Sequence, residues 1–298
     1  MARFAIMHRR KPASLSAAST AFDASRSDRG GLFSDPGVRD RFLNVALPLL
    51  AIGVVVLVWA VATNIFHVPD YLLPPPQDVV ERIFSDWRTL SYNGVYTLYT
   101  VVTGFAASVV IGVPLAFGIV ASRTVERMMM PIFVMSQTIP KVAIAPILVV
   151  WLGFGVLPKI TIAFLIAFFP IVVSTVAGLK SVEAEMIDLV RSMGAGTMRI
   201  MLRVRGPTAL PQMFAGFKIA ICLSIVGAIV GEFVGSDKGL GFLLLTATGN
   251  LDGSLIWAAL FILVAMGIVL FSIVSQIERM TIPWHVSHRL EEAATYQS

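Results

Sequence analysis

Charge is what this sequence has least of. Only 14% of its 298 residues are Asp, Glu, Lys or Arg, while 56% are hydrophobic; a soluble domain carries about 25% charged residues. Cysteine is nearly absent too. The single Cys222 lies inside an apolar run, so there is no disulfide framework and no redox compartment to infer. Four histidines, His8, His67, His285 and His288, sit in tails and a connecting loop, with no pair at metal-ligand spacing inside an apolar run. The pattern G-x-x-x-x-G-K-[ST] does not occur, so the chain has no phosphate loop of its own for ATP. The H-E-x-x-H and G-x-S-x-G patterns of hydrolases are also missing. A membrane enzyme needs a reactive cluster within its spans, and none is visible. No internal repeat is evident, which argues against a self-sufficient secondary transporter or channel, the alternative class for such a chain. No signal peptide is expected either, as the first apolar run starts near residue 43, far beyond a normal n-region.

What is present is long apolar stretches. Mean hydropathy is +0.82, and continuous runs fall at 43–66, 97–121, 129–152, 157–178, 213–235 and 255–277. Each is long enough to cross a hydrocarbon core of about 30 Å as a helix rising about 1.5 Å per residue. Because the runs are continuous rather than alternating, they predict helices, not a barrel. The expected fold class is therefore an all-α membrane protein with six transmembrane helices. Residues 1–42 read as a disordered tail rich in Ser, Ala, Arg and Asp, and 286–298 as a second tail.

The net charge is +5, but its distribution points to topology, not nucleic acid. Most of the 23 Lys and Arg fall in the N-terminal tail, the 122–128 loop, the 179–211 loop and the C-terminal tail. Only Arg82, Arg88, Lys159 and Lys238 fall in the alternate loops. The excess places both termini and the 179–211 loop in the cytoplasm. On the other side, Pro69, Pro74, Pro75 and Pro76 preset an extended turn. An amphipathic segment with Val79, Val80, Ile83 and Phe84 apolar follows, with Trp87 and Tyr92 at headgroup depth.

Two stretches interrupt the apolar pattern. In 183–211, Met186, Leu189, Val190 and Met193 form one apolar stripe at i, i+3, i+4, i+7. Gly194 and Gly196 end that helix, Thr197 caps a second over 198–205, and Gly206-Pro207 stops it. In 129–152, Gln137, Pro140, Lys141 and Pro146 break up the run. The prolines remove backbone donors and bend the helix, which is tolerated at membrane depth where the backbone lines a cavity or meets protein. Lys141 either lines a path and attracts an anion or pairs with an acid, or it snorkels to the interface. Gly104, Ser108, Gly112 and Ala116 make a small-residue face for close helix packing, within the subunit or across a dimer.

These landmarks resemble a family. Asp188-Leu189-Val190, then Gly194, then Pro207, with a second Leu210-Pro211, is similar to the "EAA" loop of bacterial ABC import permeases. Asp188 stands for the family Glu, Leu189-Val190 for two alanines, and Gly206 for a Leu. Pro140 with Pro146, Trp151-Leu152-Gly153-Phe154-Gly155, Glu232 through Gly239-Leu240-Gly241, and Glu278-Arg279 through Pro283-Trp284 also resemble family blocks. The "LLPPP" turn is similar to the nitrate, sulfonate, taurine and bicarbonate branch, and Gln137-Thr138-Ile139-Pro140-Lys141 to its branch for heterocyclic vitamin precursors.

The resemblance covers about 43–285 and implies the type I ABC importer permease fold. In that fold the 183–211 loop is the coupling helix that docks on a separate ATPase, which binds the ATP. It implies coupling roles for Glu185, Asp188, Leu189, Val190, Gly194, Ala195 and Pro207. Gln137, Pro140, Lys141, Ser174 and Glu232 are candidates for the translocation path, with Glu232 at the outer gate, paired with Lys141 or Lys238, or a plain interfacial acid. The implied partners are the ATPase, a second copy of the permease, a periplasmic or lipid-tethered solute-binding protein and the lipid bilayer. No catalytic residue, metal or resident cofactor is implied. The expected solute is small and polar or anionic, carried across the inner membrane by alternating access.

Overall fold

The computed structural model describes residues 36–66 and 68–283. The four histidines lie outside them, as do the tails 1–35 and 284–298. The chain divides into two compact units. Among the described residues, the smaller contributes only the opening of helix α1 (Pro36–Phe66). The larger, Val56–Arg289, carries every contact discussed below. In chain order it holds α2 (Pro76–Ser85), α3 (Trp87–Ala121), α4 (Arg123–Gln137), α5 (Lys141–Leu152), α6 (Val156–Lys180), α7 (Ala184–Ser192) and α8 (Thr197–Ile200). A π-helical turn (Met201–Arg205), α9 (Gly206–Gly235), α10 (Leu240–Gly249) and α11 (Gly253–Thr281) follow. No strand occurs among the described residues.

Among the described residues, four helices are long and apolar enough to cross a membrane: Trp87–Ala121, Val156–Lys180, the continuous Thr197–Gly235, and Gly253–Thr281. A fifth crossing is added if α4 and α5 count as one, and the described apolar part of α1, Leu50–Phe66, is shorter than these. The 129–152 run is therefore not the single helix expected. It breaks at 138–140, and its halves are bent by 93°. Pro140 takes an extended conformation (φ −70°, ψ 94°), because it cannot donate to a helix and drives the residue before it out of the α region. Other limits move as well. The apolar run begins at 97, but helix α3 starts at Trp87, and helix α1 reaches back to Pro36, into the stretch read as a tail.

Helix α6 stands between α3 and α9, and small residues set both distances. A Cβ added to Gly104 of α3 would lie 2.7 Å from the Ala163 Cβ. One added to Gly227 of α9 would lie 2.7 Å from the Ala163 Cα. The two neighbours thus converge on one alanine of α6. Ser108 donates to the carbonyl of Phe164 at 2.9 Å, and Ser224 of α9 donates to the carbonyl of Val101 at 3.2 Å. Further along the α6–α9 seam, Gly231 meets the Lys159 backbone and Gly178 the Ala209 carbonyl. The small-residue face of α3 packs within the chain, where close backbone approach replaces the hydrophobic drive that lipid cannot supply.

The ends of α1, α2 and α11 are tied by polar contacts. Trp59 donates to the Pro74 carbonyl at 3.1 Å and stacks near Trp257 and Phe261. Arg82 pairs with Asp252 at 2.7 Å, and Asp252 caps α11 by accepting from the Leu255 N–H. Gly253 has no room for a Cβ against the Asp70 carbonyl. As the prolines predict, Pro75 is extended (φ −57°, ψ 146°).

Gly227→Leu should overpack the Ala163 crossing, costing about 1–3 kcal/mol and lowering the detergent-solubilised unfolding midpoint by several degrees. Gly118→Leu, with nothing within 4 Å of its Cβ position, should leave the midpoint within about 1 °C. Equal midpoints for the two variants would contradict the close crossing.

Candidate functional site

At one end of the bundle the chain between α6 and α9 forms a compact helical knob. Helix α7 closes with a two-bond terminus: Gly194 N–H donates to the Arg191 carbonyl at 2.9 Å and Ala195 N–H to the Val190 carbonyl at 3.2 Å. This wrap needs a left-handed residue, and Gly194 supplies it at φ +82°. Gly194 and Ala195 thus shape the knob. Three of the four residues of the expected stripe face out, Met186, Leu189 and Met193 being 49%, 58% and 78% exposed, while Val190 is half-buried. Ala184, Ile187, Asp188 and Arg191 occupy the opposite face and line a cleft against the ends of α3 and α6. Asp188 pairs with Arg191 at 3.6 Å, and Glu185 is exposed in the first turn of α7.

The second half of the loop differs from the expectation. Gly196, not Thr197, occupies the cap position, and no side-chain bond is made there. Gly206-Pro207 does not stop the helix either. The turn Met201–Arg205 is wound wide, with Gly206 N–H donating to the carbonyl of Met201, and α9 continues without a break. A wide turn accommodates the missing N–H and the ring of Pro207, which a regular α turn would not. A Cβ at residue 206 would come within 3.3 Å of the Met201 carbonyl, so the glycine where the family has Leu suits this turn.

Gln137, Pro140 and Lys141 come together at the bend between α4 and α5. Lys141 is half-buried, with its Nζ 4.8 Å from the centre of the Phe169 ring. Phe133 and Phe168 flank that ring. The other two path candidates stand apart. Ser174 is pressed against Gly216 in the α6–α9 seam. Glu232 is 1% exposed and pairs with neither Lys141 nor Lys238.

Glu232 instead centres a polar network at the end of the bundle opposite the knob. Its Oε1 accepts from Thr97 Oγ1 at 2.8 Å, and its Oε2 from Gly241 N–H at 2.7 Å. Thr97 Oγ1 also accepts from Leu240 N–H at 2.8 Å, and Asn93 Oδ1 from Gly239 N–H at 2.7 Å. Three backbone donors at the start of α10 are thus satisfied by side chains of α3 and α9, and a carboxylate at a helix N-terminus is also electrostatically favoured. Gly239 (φ +111°) and Gly241 are needed because the Glu232 side chain fills the space where their Cβ atoms would stand. Lys159 lies beside the network, 1% exposed, donating to Ser236 Oγ at 2.6 Å and Tyr96 Oη at 3.2 Å. It belongs to α6, not to the loop assigned by charge counting. Asn93, Thr97 and Lys159 escape sequence reading, as each pairs across more than 60 residues; the Glu232–Gly239–Gly241 spacing is the one local signal.

Glu232→Ala would orphan the buried Gly241 N–H and Thr97 hydroxyl. At about 1–3 kcal/mol per stranded group, amide exchange over 239–249 should rise at least about tenfold, with 184–192 unchanged. Equal exchange at 239–249 in the wild type and Glu232→Ala would mean the carboxylate does not hold α10.

Residues 108–282 match the family described as binding-protein-dependent transport system inner membrane component. A probable ABC transporter permease protein of Haemophilus influenzae is 35% identical over 75% of this chain and 91% of its own length. The formylaminopyrimidine transport permease protein ThiX of Halalkalibacterium halodurans is 34% identical over 80% of this chain and 95% of its own. Among solved structures, an inward-facing form of the MetNI methionine ABC transporter superposes with a TM-score of 0.59 at 21% identity. It spans 65% of this chain and 97% of that one, a likeness of fold. With the multi-span helical bundle and the knob between α6 and α9, these matches establish that the chain belongs to the inner-membrane permease components of binding-protein-dependent ABC transport systems.

Proposed function

We propose that this chain is the membrane-spanning subunit of an ABC importer that carries a small polar or anionic solute inward, driven by a separate ATPase. The observation that carries the reading is the outward apolar stripe Met186, Leu189 and Met193 on α7. A helix in the aqueous phase does not leave such a stripe uncovered without a partner. The charge excess in the 179–211 loop supports a cytoplasmic position for the knob. The ATPase binds ATP and closes; the knob moves with it, and α9, continuous with the knob, turns the path from one side to the other. Six crossings with both termini inside complete the topology.

A second copy completes the path, supported by the exposed apolar face of α5 at Val142, Ile147, Val150 and Trp151. A solute-binding protein docks at the opposite end, near 73–76 and 237–241. Lys141 at the bend, with its charge over Phe169, supplies both a cation and an aromatic wall. That pairing suits a sulfonate-like anion or a planar heterocycle, and the relative named for formylaminopyrimidine transport favours the heterocycle.

Leu189→Glu should abolish co-elution of the ATPase and lower ATP-driven uptake in reconstituted vesicles at least about tenfold, as loss of a central apolar anchor does. Uptake that persists with no ATPase present would overturn the proposal. Lys141→Ala should reduce uptake of the carried solute while ATPase co-elution stays normal; unchanged uptake of every candidate solute removes Lys141 from the path.

A further inference from the structure

The knob's inner face closes a cleft of about 530 Å³ against the ends of α3, α4 and α6. Its walls carry five cations, Arg123, Arg127, Lys180, Arg191 and Arg205, against two acids. Both acids are engaged: Glu126 pairs with Lys180 at 2.5 Å and Asp188 with Arg191 at 3.6 Å. Among the described residues, Arg123, Arg127 and Arg205 have no acid within ion-pair distance. Part of the lining is apolar, formed by Val120, Ile200 and Met201.

The cleft lies on the side of α7 away from the outward stripe, and of the coupling candidates only Asp188 lines it. Ala184, Ile187, Asp188 and Arg191 line it, half a helical turn away from Met186, Leu189 and Met193. A protein seated on the outward stripe leaves the cleft open from the side. Three unmatched guanidinium groups, beside the ends of apolar helices, suit a phosphate, which they bind through paired N–H donors. The apolar lining suits a headgroup that continues into glycerol and acyl chain, not a fully hydrated free anion. Basic pockets of this kind between span ends are where anionic headgroups bind.

We propose that the cleft holds the phosphate of an anionic phospholipid from the leaflet that faces the knob. The lipid brackets α7 to the ends of α3 and α6, so the knob answers to membrane composition as well as to its ATPase. This rests on the reading above only in placing the knob at the cytoplasmic surface.

The test uses the chain with its co-purified ATPase in nanodiscs of phosphatidylcholine, with or without phosphatidylglycerol. The wild type is compared with Arg123→Gln/Arg127→Gln and with Arg199→Gln, an exposed arginine of α8 outside the cleft. Native mass spectrometry reads retained phosphatidylglycerol, and ATP hydrolysis and ATPase co-elution are followed in parallel. The wild type and Arg199→Gln should retain phosphatidylglycerol; the double variant should lose it at least about tenfold, with lower ATP hydrolysis and normal co-elution. Equal retention in the double variant overturns the proposal. So does binding of inorganic phosphate in phosphatidylcholine discs without retention of phosphatidylglycerol, which assigns the site to a free anion. Lost co-elution with retained lipid also overturns it, by assigning the arginines to the ATPase. Lipid retention is read on the chain itself, so absence of any ATPase from the wild-type preparation counts against the importer reading alone.

Discussion

Close backbone approach at Ala163 sets the position of α6, and the position of α6 sets everything else. In lipid, apolar side chains gain nothing by leaving one apolar surroundings for another, so helices hold together where small residues let their backbones meet. Gly104 and Gly227 reach Ala163 from two sides. The helix so fixed presents a side chain to each of three regions. Lys159 lies beside the polar network at one end, Phe169 lies under Lys141 in the middle, and Lys180 stands on the cleft at the other end. A small displacement of α6 would disturb all three together.

The two polar regions differ in how completely they are paired. Around Glu232, donors and acceptors match one to one, and the α10 N-terminus has its amides filled. Buried polar groups that are fully satisfied hold a single arrangement. The cleft behind the knob is the reverse, with more cations than acids and half-exposed walls. One region fixes the geometry of its end of the bundle. The other keeps charge in hand for something that arrives later.

The helices and the knob were legible because their signals are local. Apolar length marks α3, α6, α9 and α11, and Gly194 marks the end of α7 through one backbone angle that other residues adopt at a cost. Pro140 announced a bend, but its 93° angle depends on what α5 packs against. Gly206-Pro207 predicts a stop that the structure does not make, because a dipeptide that ends an α turn can pass through a π turn. The network was invisible for a different reason. Thr97, Asn93 and Lys159 each look like an isolated polar residue at a helix edge, and only the fold brings them to Glu232 and the start of α10. Charge counting placed Lys159 in a loop because it lies three residues into α6, where sequence alone cannot separate rim from interior.

The wide turn at 201–205 has a mechanical meaning. Because it carries the helix past Gly206-Pro207, Thr197–Gly235 forms one continuous helical run of 39 residues, about 58 Å long at the helical rise. Its near tip touches the aqueous surface beside α7, and its far tip carries Glu232. The knob and the carboxylate that holds α10 thus belong to one helical run, and its breaks in regular hydrogen bonding, the wide turn, Pro207 and Pro211, all lie toward the knob.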